Sequence, residues 1–402
     1  MLKKNNFFKN YCNNNSKYNN NLKKTKKVFD SLLLDLKNNQ IPLLTSYAKN
    51  YELDFITSTV KKFSKYKNII IIGMGGSILG TKSIYSFFEK KVSKKLFFFD
   101  NLDSDLNLKY KKIKNLNNSC FVLVSKSGNT LETITNLGAI FSKNLLKNKL
   151  VIITEIKDNA LMALANKYQA EVIEHKPFIG GRYSVLSETG MFPAALMGLN
   201  LMKFKNLNGL IHNKNFISCL IKNVAAIYTL NLKKVSNSVI LSYDSSLNDL
   251  GYWYQQLVSE SLGKKGKGIS PTLSFGPKDQ HSLLQLYLDG PKDKFFTFFN
   301  SSTKVDKFKV AKDIVPKNIS FLRNKNLGSI INAQCNAVKK VFRLKNIPYR
   351  EITFNKKNET ELGEIFTFFV LETILLSRLM RVNPFNQPAV EQVKIETIKF
   401  LR

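Results

Sequence analysis

Four side chains, far apart along this sequence, have the chemistry needed to move protons on a carbon skeleton. Glu260 stands in QQLVSESLGKK, residues 255–265. That segment reads as a helix ending near Gly263, so Gln256 and Glu260 share a face, as do Glu260 and Lys264. A carboxylate there is a candidate base, or else a solvated ion-pair partner. Arg182 follows a glycine pair in IGGRYSVLSETG, residues 179–190. Gly180 and Gly181 let the backbone pass close to a ligand, and a permanently charged guanidinium beside them suits a developing oxyanion. The structural alternative is an ion pair with Glu188 of the same segment. Of three histidines, His175, His212 and His281, only His281 lies in a polar loop opened by Gly and Pro, GPKDQHSLLQL, residues 276–286. An imidazole there exchanges protons near neutral pH, unless it is merely a surface residue. Lys394 closes NPFNQPAVEQVK, residues 383–394, seven residues after Gln387 and on the same side of a helix; taken by itself it is a surface lysine.

Two further segments suit an anion. GMGGSILG, residues 73–80, places Gly76 and Ser77 where a strand turns into a helix, and the free N–H groups of a helix start attract negative charge. It lacks the lysine of a nucleoside-triphosphate loop, and no acidic residue is placed for a ribose. SKSGNTLET, residues 125–133, adds the hydroxyls of Ser125, Ser127 and Thr130 and the charge of Lys126, again between strand and helix. Asn129 followed by Glu132 also reads as a helix cap. Two such loops at the carboxyl ends of strands in one sheet point to a phosphomonoester.

The elements that must hold these groups alternate. KNIIIIGM, CFVLVS and KLVIITEI are strand-like, and each is followed by a helical pattern, SILGTKSIYSFFEKK, TLETITNLGAIFSKN and NALMALANKY. Alternation of this kind predicts crossover units and a mostly parallel sheet covered on both faces, an α/β class. A second series begins after residues 231–237: SVILSYDS, a helix over LNDLGYWYQQLVSESLG, KFFTFFNS, a helix over 327–344, YREITF, and a helix over ELGEIFTFFVLETILLSRLM. Two α/β sandwiches in tandem are predicted.

Composition bounds the rest. The 402 residues allow two or three domains, and 44% apolar content is that of a folded chain. A net charge of +33 raises the question of nucleic acid, but the lysines are spread evenly among asparagines with no aromatic-flanked basic cluster, so attraction for anionic metabolites is the safer consequence. Four separated cysteines give neither a zinc site nor a disulfide framework, and no metal is expected. The longest apolar helix is interrupted by Glu372 and Arg378, which argues against a membrane span. The Asn-rich basic N-terminus has no secretory pattern and reads as a surface-lying arm; a cytoplasmic location is expected.

Taken in order, the six segments resemble the signatures of the glucose-6-phosphate isomerase family, approximately GIGGSxLG, SKTxTTxET, GGRxSxxSxxG, QxxxESxGK, GxxDQHSxxQL and NPFDQPGVExxK. They span residues 73–394, and chance agreement of six ordered motifs is remote. The resemblance implies two sugar-isomerase (SIS) domains, at 29–230 and 231–382, after an N-terminal arm at 1–28 and before a C-terminal helical segment at 383–402 that completes the active site. It implies a homodimer with active sites at the subunit interface, no cofactor, and the glycolytic and gluconeogenic interconversion of glucose 6-phosphate and fructose 6-phosphate. By motif position Ser77, Ser125, Lys126, Ser127 and Thr130 hold the phosphate, and Gly76, Gly181, Gln256 and Gln387 line the pocket. Glu260 moves the proton between C2 and C1, and Arg182 stabilises the cis-enediolate. His281, given by the partner subunit and oriented by Glu132, opens the ring with help from Lys394. The sequence departs from the pattern at Ser127, Gly128 and Asn129, and at Asn386 and Ala389. Two other readings are an isomerase that also accepts mannose 6-phosphate and a non-catalytic sugar-phosphate sensor; neither nucleic acid nor membrane is expected as a partner.

Overall fold

The computed structural model describes residues 8, 16–140, 148–302 and 308–402. The elements that position the site are, in the first half, α1 (Ser16–Lys37), β1 (Asn68–Gly73), α2 (Leu79–Phe88), β2 (Lys95–Phe99), β3 (Ser119–Val124), α3 (Leu131–Ile140), β4 (Leu150–Thr154), α4 (Ala160–Tyr168) and β5 (Glu171–Glu174). In the second half they are α5 (Lys214–Leu232), β6 (Asn237–Ser242), α6 (Asn248–Leu262), β7 (Ser270–Phe275), β8 (Lys294–Ser301), α7 (Leu327–Leu344), β9 (Tyr349–Phe354), α8 (Glu359–Met380) and α9 (Glu391–Leu401).

NIIIIG, SCFVLV and LVIIT are buried at every position, so they can only be inner strands with both faces covered. They form β1, β3 and β4 of a sheet ordered β2-β1-β3-β4-β5, in which each pairing is parallel. The second sheet, β7-β6-β8-β9, is also parallel throughout. The α/β class with two parallel sheets flanked by helices is as the alternation predicts.

The strand orders decide where a ligand can enter. From β1 the chain crosses to β2 on one side, while β3, on the other side of β1, leads to β4. The turns after β1 and β3 therefore diverge and leave a crevice at the carboxyl edge of the first sheet. Both glycine and hydroxyl loops open on it.

The stretch read as a surface arm is structured from Ser16; residues 1–7 and 9–15 of that reading lie outside the described ones. Tyr18, Asn21, Thr25, Phe29 and Leu32 recur every three or four residues on α1 and are buried, with Asn21 Nδ2 donating to Thr229 Oγ1 at 2.9 Å on α5. Residue 28 thus falls inside a helix that packs on α5 and α8. Polar Asn21 and Thr25 disguised the buried stripe.

Glu372, which interrupts the apolar run of α8, pairs in the core with Arg350 of β9, and both are fully buried. Arg350 also donates to Thr297 Oγ1 (2.8 Å), Asn223 Oδ1 (3.0 Å) and the Tyr254 hydroxyl (3.0 Å), and that hydroxyl donates to Glu372 Oε1 at 3.0 Å. Removing one member strands a buried charge. Glu372→Ala is expected to lower unfolding stability by about 3–5 kcal/mol in urea titration.

Candidate active site

Arg182 lies in the turn Gly181–Leu186, and its side chain is only 2% exposed. All five guanidinium N–H groups have acceptors. Nε donates to Ser261 Oγ at 2.8 Å; Nη1 donates to Glu260 Oε2 at 3.1 Å and Gln387 Oε1 at 2.8 Å. Nη2 donates to the carbonyls of Pro384 and, at 3.3 Å, Asn386. Tyr183 supports the same join: its hydroxyl donates to the Pro384 carbonyl (2.9 Å) and sits 2.8 Å from Ser261 Oγ. One guanidinium thus ties together the 181–186 turn, the end of α6 and the 383–387 turn. The alternative pairing with Glu188 is not made. Glu188 is buried and accepts instead from the Tyr51 hydroxyl (2.9 and 3.1 Å) and the Asp54 N–H (3.2 Å), and burial raises its carboxyl above the ordinary range.

Glu260 sits in the last turn of α6, where Gln256, four residues earlier, donates from Nε2 to its Oε1 at 2.7 Å. Gln256 Oε1 is buried without a partner among the described residues. The Glu260 side chain keeps 35% exposure, so the carboxylate is reachable. Lys264 donates to the carbonyls of Glu260 (2.6 Å) and Ser261 (2.9 Å), and desolvation, helped by the Arg182 charge, pulls its ammonium down to about 8. A cavity of about 540 Å³ opens beside Glu260, lined also by Lys264, Asn383, Asn386 and Gln387.

The first loop reaches this group through contacts that only glycine permits. Gly75 has φ +51°, and a Cβ on it would fall 2.8 Å from Gln256 Nε2. A Cβ on Gly76 would lie 2.2 Å from the Gly181 carbonyl carbon, inside the backbone ahead of Arg182. Ser77 is half-buried in the same turn. Gly76→Ala must drive the two turns apart, so we expect the KM for a sugar phosphate to rise about tenfold or more, with stability lower by about 1–3 kcal/mol, as steady-state kinetics and thermal melts will show.

The second loop is held open from within. Ser125 Oγ and Thr130 Oγ1 share a 2.7 Å hydrogen bond, and the Gly128 N–H donates to Ser125 Oγ at 3.2 Å. Gly128 has φ +73° and packs on Asn159, so this departure from the family pattern meets a left-handed turn. Lys126 donates to the Pro177 carbonyl at 2.6 Å and lies 3.7 Å from Glu155 Oε1; burial lowers its pKa against the pull of Glu155. His175 is buried nearby, and desolvation holds it near 4, so it is neutral at pH 7. Ser127 is exposed. Asn129 does not pair with Glu132 as a cap: its Oδ1 accepts the Ala160 N–H at the start of α4 (2.9 Å). Glu132 is half-buried in the first turn of α3.

Two expected participants stay outside this cluster. α6 runs back along the second sheet, so Glu260 ends at its amino edge, whereas His281 follows β7 at its carboxyl edge, where it is exposed. A six-residue strand separates those edges by roughly 20 Å. Lys394 lies on α9, which buries none of its residues, and its ammonium is 2.7 Å from Glu391 Oε1. Among the described residues neither touches Arg182, Glu260 or Glu132. Ser261 and Tyr183 were not singled out as participants, although each is adjacent in sequence to a residue that was.

These features define a parallel α/β protein with a built polar site at the switch point of its first sheet. The model of the phosphoglucose isomerase family matches residues 53–398, and the chain belongs to that family. It is 35% identical over 348 residues to a glucose-6-phosphate isomerase from Methanocaldococcus jannaschii, covering 83% of this chain and 84% of that one. A glucose-6-phosphate isomerase from Campylobacter jejuni is 32% identical over 350 residues, covering 82% and 84%. In fold the chain is similar to the crystal structures of a hypothetical protein from Thermus thermophilus (TM-score 0.80, 23% identity, 96% of each chain) and of a glucose-6-phosphate isomerase from Chlamydia trachomatis (TM-score 0.70, 19% identity, 86% of this chain and 71% of that one). Among the described residues no helix is long and apolar enough to cross a membrane.

Proposed function

We propose that this protein interconverts D-glucose 6-phosphate and D-fructose 6-phosphate by proton transfer through a cis-enediolate. The observation that carries the reading is Glu260 Oε2 placed 3.1 Å from the buried guanidinium of Arg182, beside a crevice furnished with hydroxyls and helix starts. A proton alpha to a carbonyl is far too weakly acidic for a carboxylate unless the oxyanion is stabilised as it forms. Glu260 removes the C2 proton and returns it to C1, while Arg182 faces the oxygens that gain charge. Every Arg182 donor is already engaged, so substrate oxygens must replace an acceptor; Glu260, Gln387 and Asn386 line the open cavity, and we take the Nη1 bond to Glu260 as the one exchanged. That exchange also frees the Glu260 carboxylate for the C2 proton.

The phosphate is held by Ser77, Ser125, Lys126, Ser127 and Thr130, with Gly76 and Gly181 close by and Gln256 Oε1 accepting from a sugar hydroxyl. His281 lies at the far edge of the second sheet from Glu260, which supports its donation across a homodimer: His281 of the partner subunit, oriented by Glu132, opens the ring, and Lys394 assists from α9. The carboxylate and guanidinium favour catalysis over the sensing alternative, and nothing in the site favours mannose 6-phosphate. The test is a coupled assay of purified protein with fructose 6-phosphate; no turnover would refute the proposal. His281→Ala is expected to lower kcat/KM on cyclic substrate by about 10²-fold while affecting open-chain substrate far less. Equal losses on both would contradict a ring-opening role.

A further inference from the structure

We propose that a second anion site lies outside the sugar-phosphate crevice, in a groove of about 780 Å³ between α1, the end of α5 and the end of α8. Its lining includes six cations, Lys24, Lys27, Lys234, Lys267, Arg378 and Arg381, and no carboxylate. Two are partly committed: Arg378 Nη2 is 2.5 Å from Asp35 Oδ2, and Lys267 Nζ donates to the Met380 carbonyl at 2.9 Å. Lys24, Lys27, Lys234 and Arg381 pair with no carboxylate among the described residues. Many lysines of so basic a chain make no ion pair, so what sets this group apart is the convergence of six cations on one concavity whose lining holds no carboxylate. Lys24 and Lys27 on α1, with Lys234 and Arg381 just past the ends of α5 and α8, concentrate a positive potential on one concavity that favours a multivalent anion.

The groove takes a triphosphate group, free or carried on a nucleoside. One phosphomonoester brings about two negative charges to six lining cations, whereas a linked triphosphate brings more along a single chain. Tyr228, Leu232 and Leu379 on the same lining offer an apolar seat for whatever the triphosphate carries. The site is also joined to the catalytic group. Its floor contains Gly266, Lys267 and Gly268, just past the α6 end that bears Glu260, and Met380 and Arg381, just before the turn whose Pro384 carbonyl holds Arg182. The inference concerns binding and does not depend on which sugar the crevice turns over.

Calorimetry with inorganic tripolyphosphate, in the presence of saturating fructose 6-phosphate to fill the crevice, tests it. The full chain is expected to bind one equivalent, and the triple variant Lys24→Glu, Lys27→Glu, Lys234→Glu to bind about tenfold or more weakly. The control variant Lys61→Glu, Lys90→Glu, Lys340→Glu makes the same change in net charge on exposed positions elsewhere and is expected to bind within about threefold of the parent. Circular dichroism of both variants confirms the fold. A parallel titration with a nucleoside triphosphate distinguishes the free from the carried group, tighter binding favouring the latter. Loss of binding when fructose 6-phosphate is added, or equal weakening in both variants, would overturn the proposal.

Discussion

Glu260→Gln is expected to lower kcat by about 10³-fold or more while leaving affinity for the sugar phosphate within a few-fold of the parent. The substitution keeps the shape of the side chain and one acceptor oxygen, enough for either Arg182 Nη1 or Gln256 Nε2, the donors to the two carboxylate oxygens. It removes the one property the mechanism uses, the capacity to take a proton from carbon. Washout of deuterium from C2-labelled glucose 6-phosphate should fall in parallel with turnover. Unchanged turnover would remove Glu260 from the mechanism.

Arg182→Lys should have a comparable effect through a different route. A lysine keeps the charge but offers three N–H donors on a single atom where the guanidinium supplies five in a fixed fork. Ser261, Glu260, Gln387, Pro384 and Asn386 cannot all be satisfied, so the 383–387 turn loosens and the base loses its alignment. We expect kcat/KM to fall by about 10²–10³-fold, and the melting temperature to fall because fewer hydrogen bonds hold the 383–387 turn. Arg182→Ala with added guanidinium ion should recover part of kcat without recovering the melting temperature. A variant with normal turnover and a lower melting temperature would mean that Arg182 serves the fold alone.

Inner strands were legible because burial on both faces demands an uninterrupted apolar run, and IIII at 69–72 or CFVLV at 120–124 admits few other readings. The strands that the sequence did not announce are β2, β5 and β7, and all three lie at sheet edges. Edge strands keep one side partly wet: KLFFF begins on an exposed lysine, EVIE is only half-buried at three of its four residues, and SPTLSF carries a proline at its second residue.

The same division runs through the site. Contacts within one short motif were legible, as the helical spacing of Gln256 and Glu260 gave theirs directly. Contacts between motifs were not, since Arg182 finds Glu260 at a separation of 78 residues and the Pro384 carbonyl at 202. A backbone carbonyl has no side-chain signature, and a charge placed near Glu188 in sequence reads as its partner until the fold supplies a better one. The position of His281 at the opposite edge of the second sheet likewise follows from topology, which no local pattern encodes.

One measurement bears on the central claim most directly: a crystal structure of the protein soaked with fructose 6-phosphate. The account predicts the phosphate between the turns at 73–80 and 125–133, with C1 and C2 between the Glu260 carboxylate and the Arg182 guanidinium, each within hydrogen-bonding reach of about 3 Å. A sugar phosphate bound in a separate cleft, with that carboxylate and guanidinium still facing only each other, would contradict it.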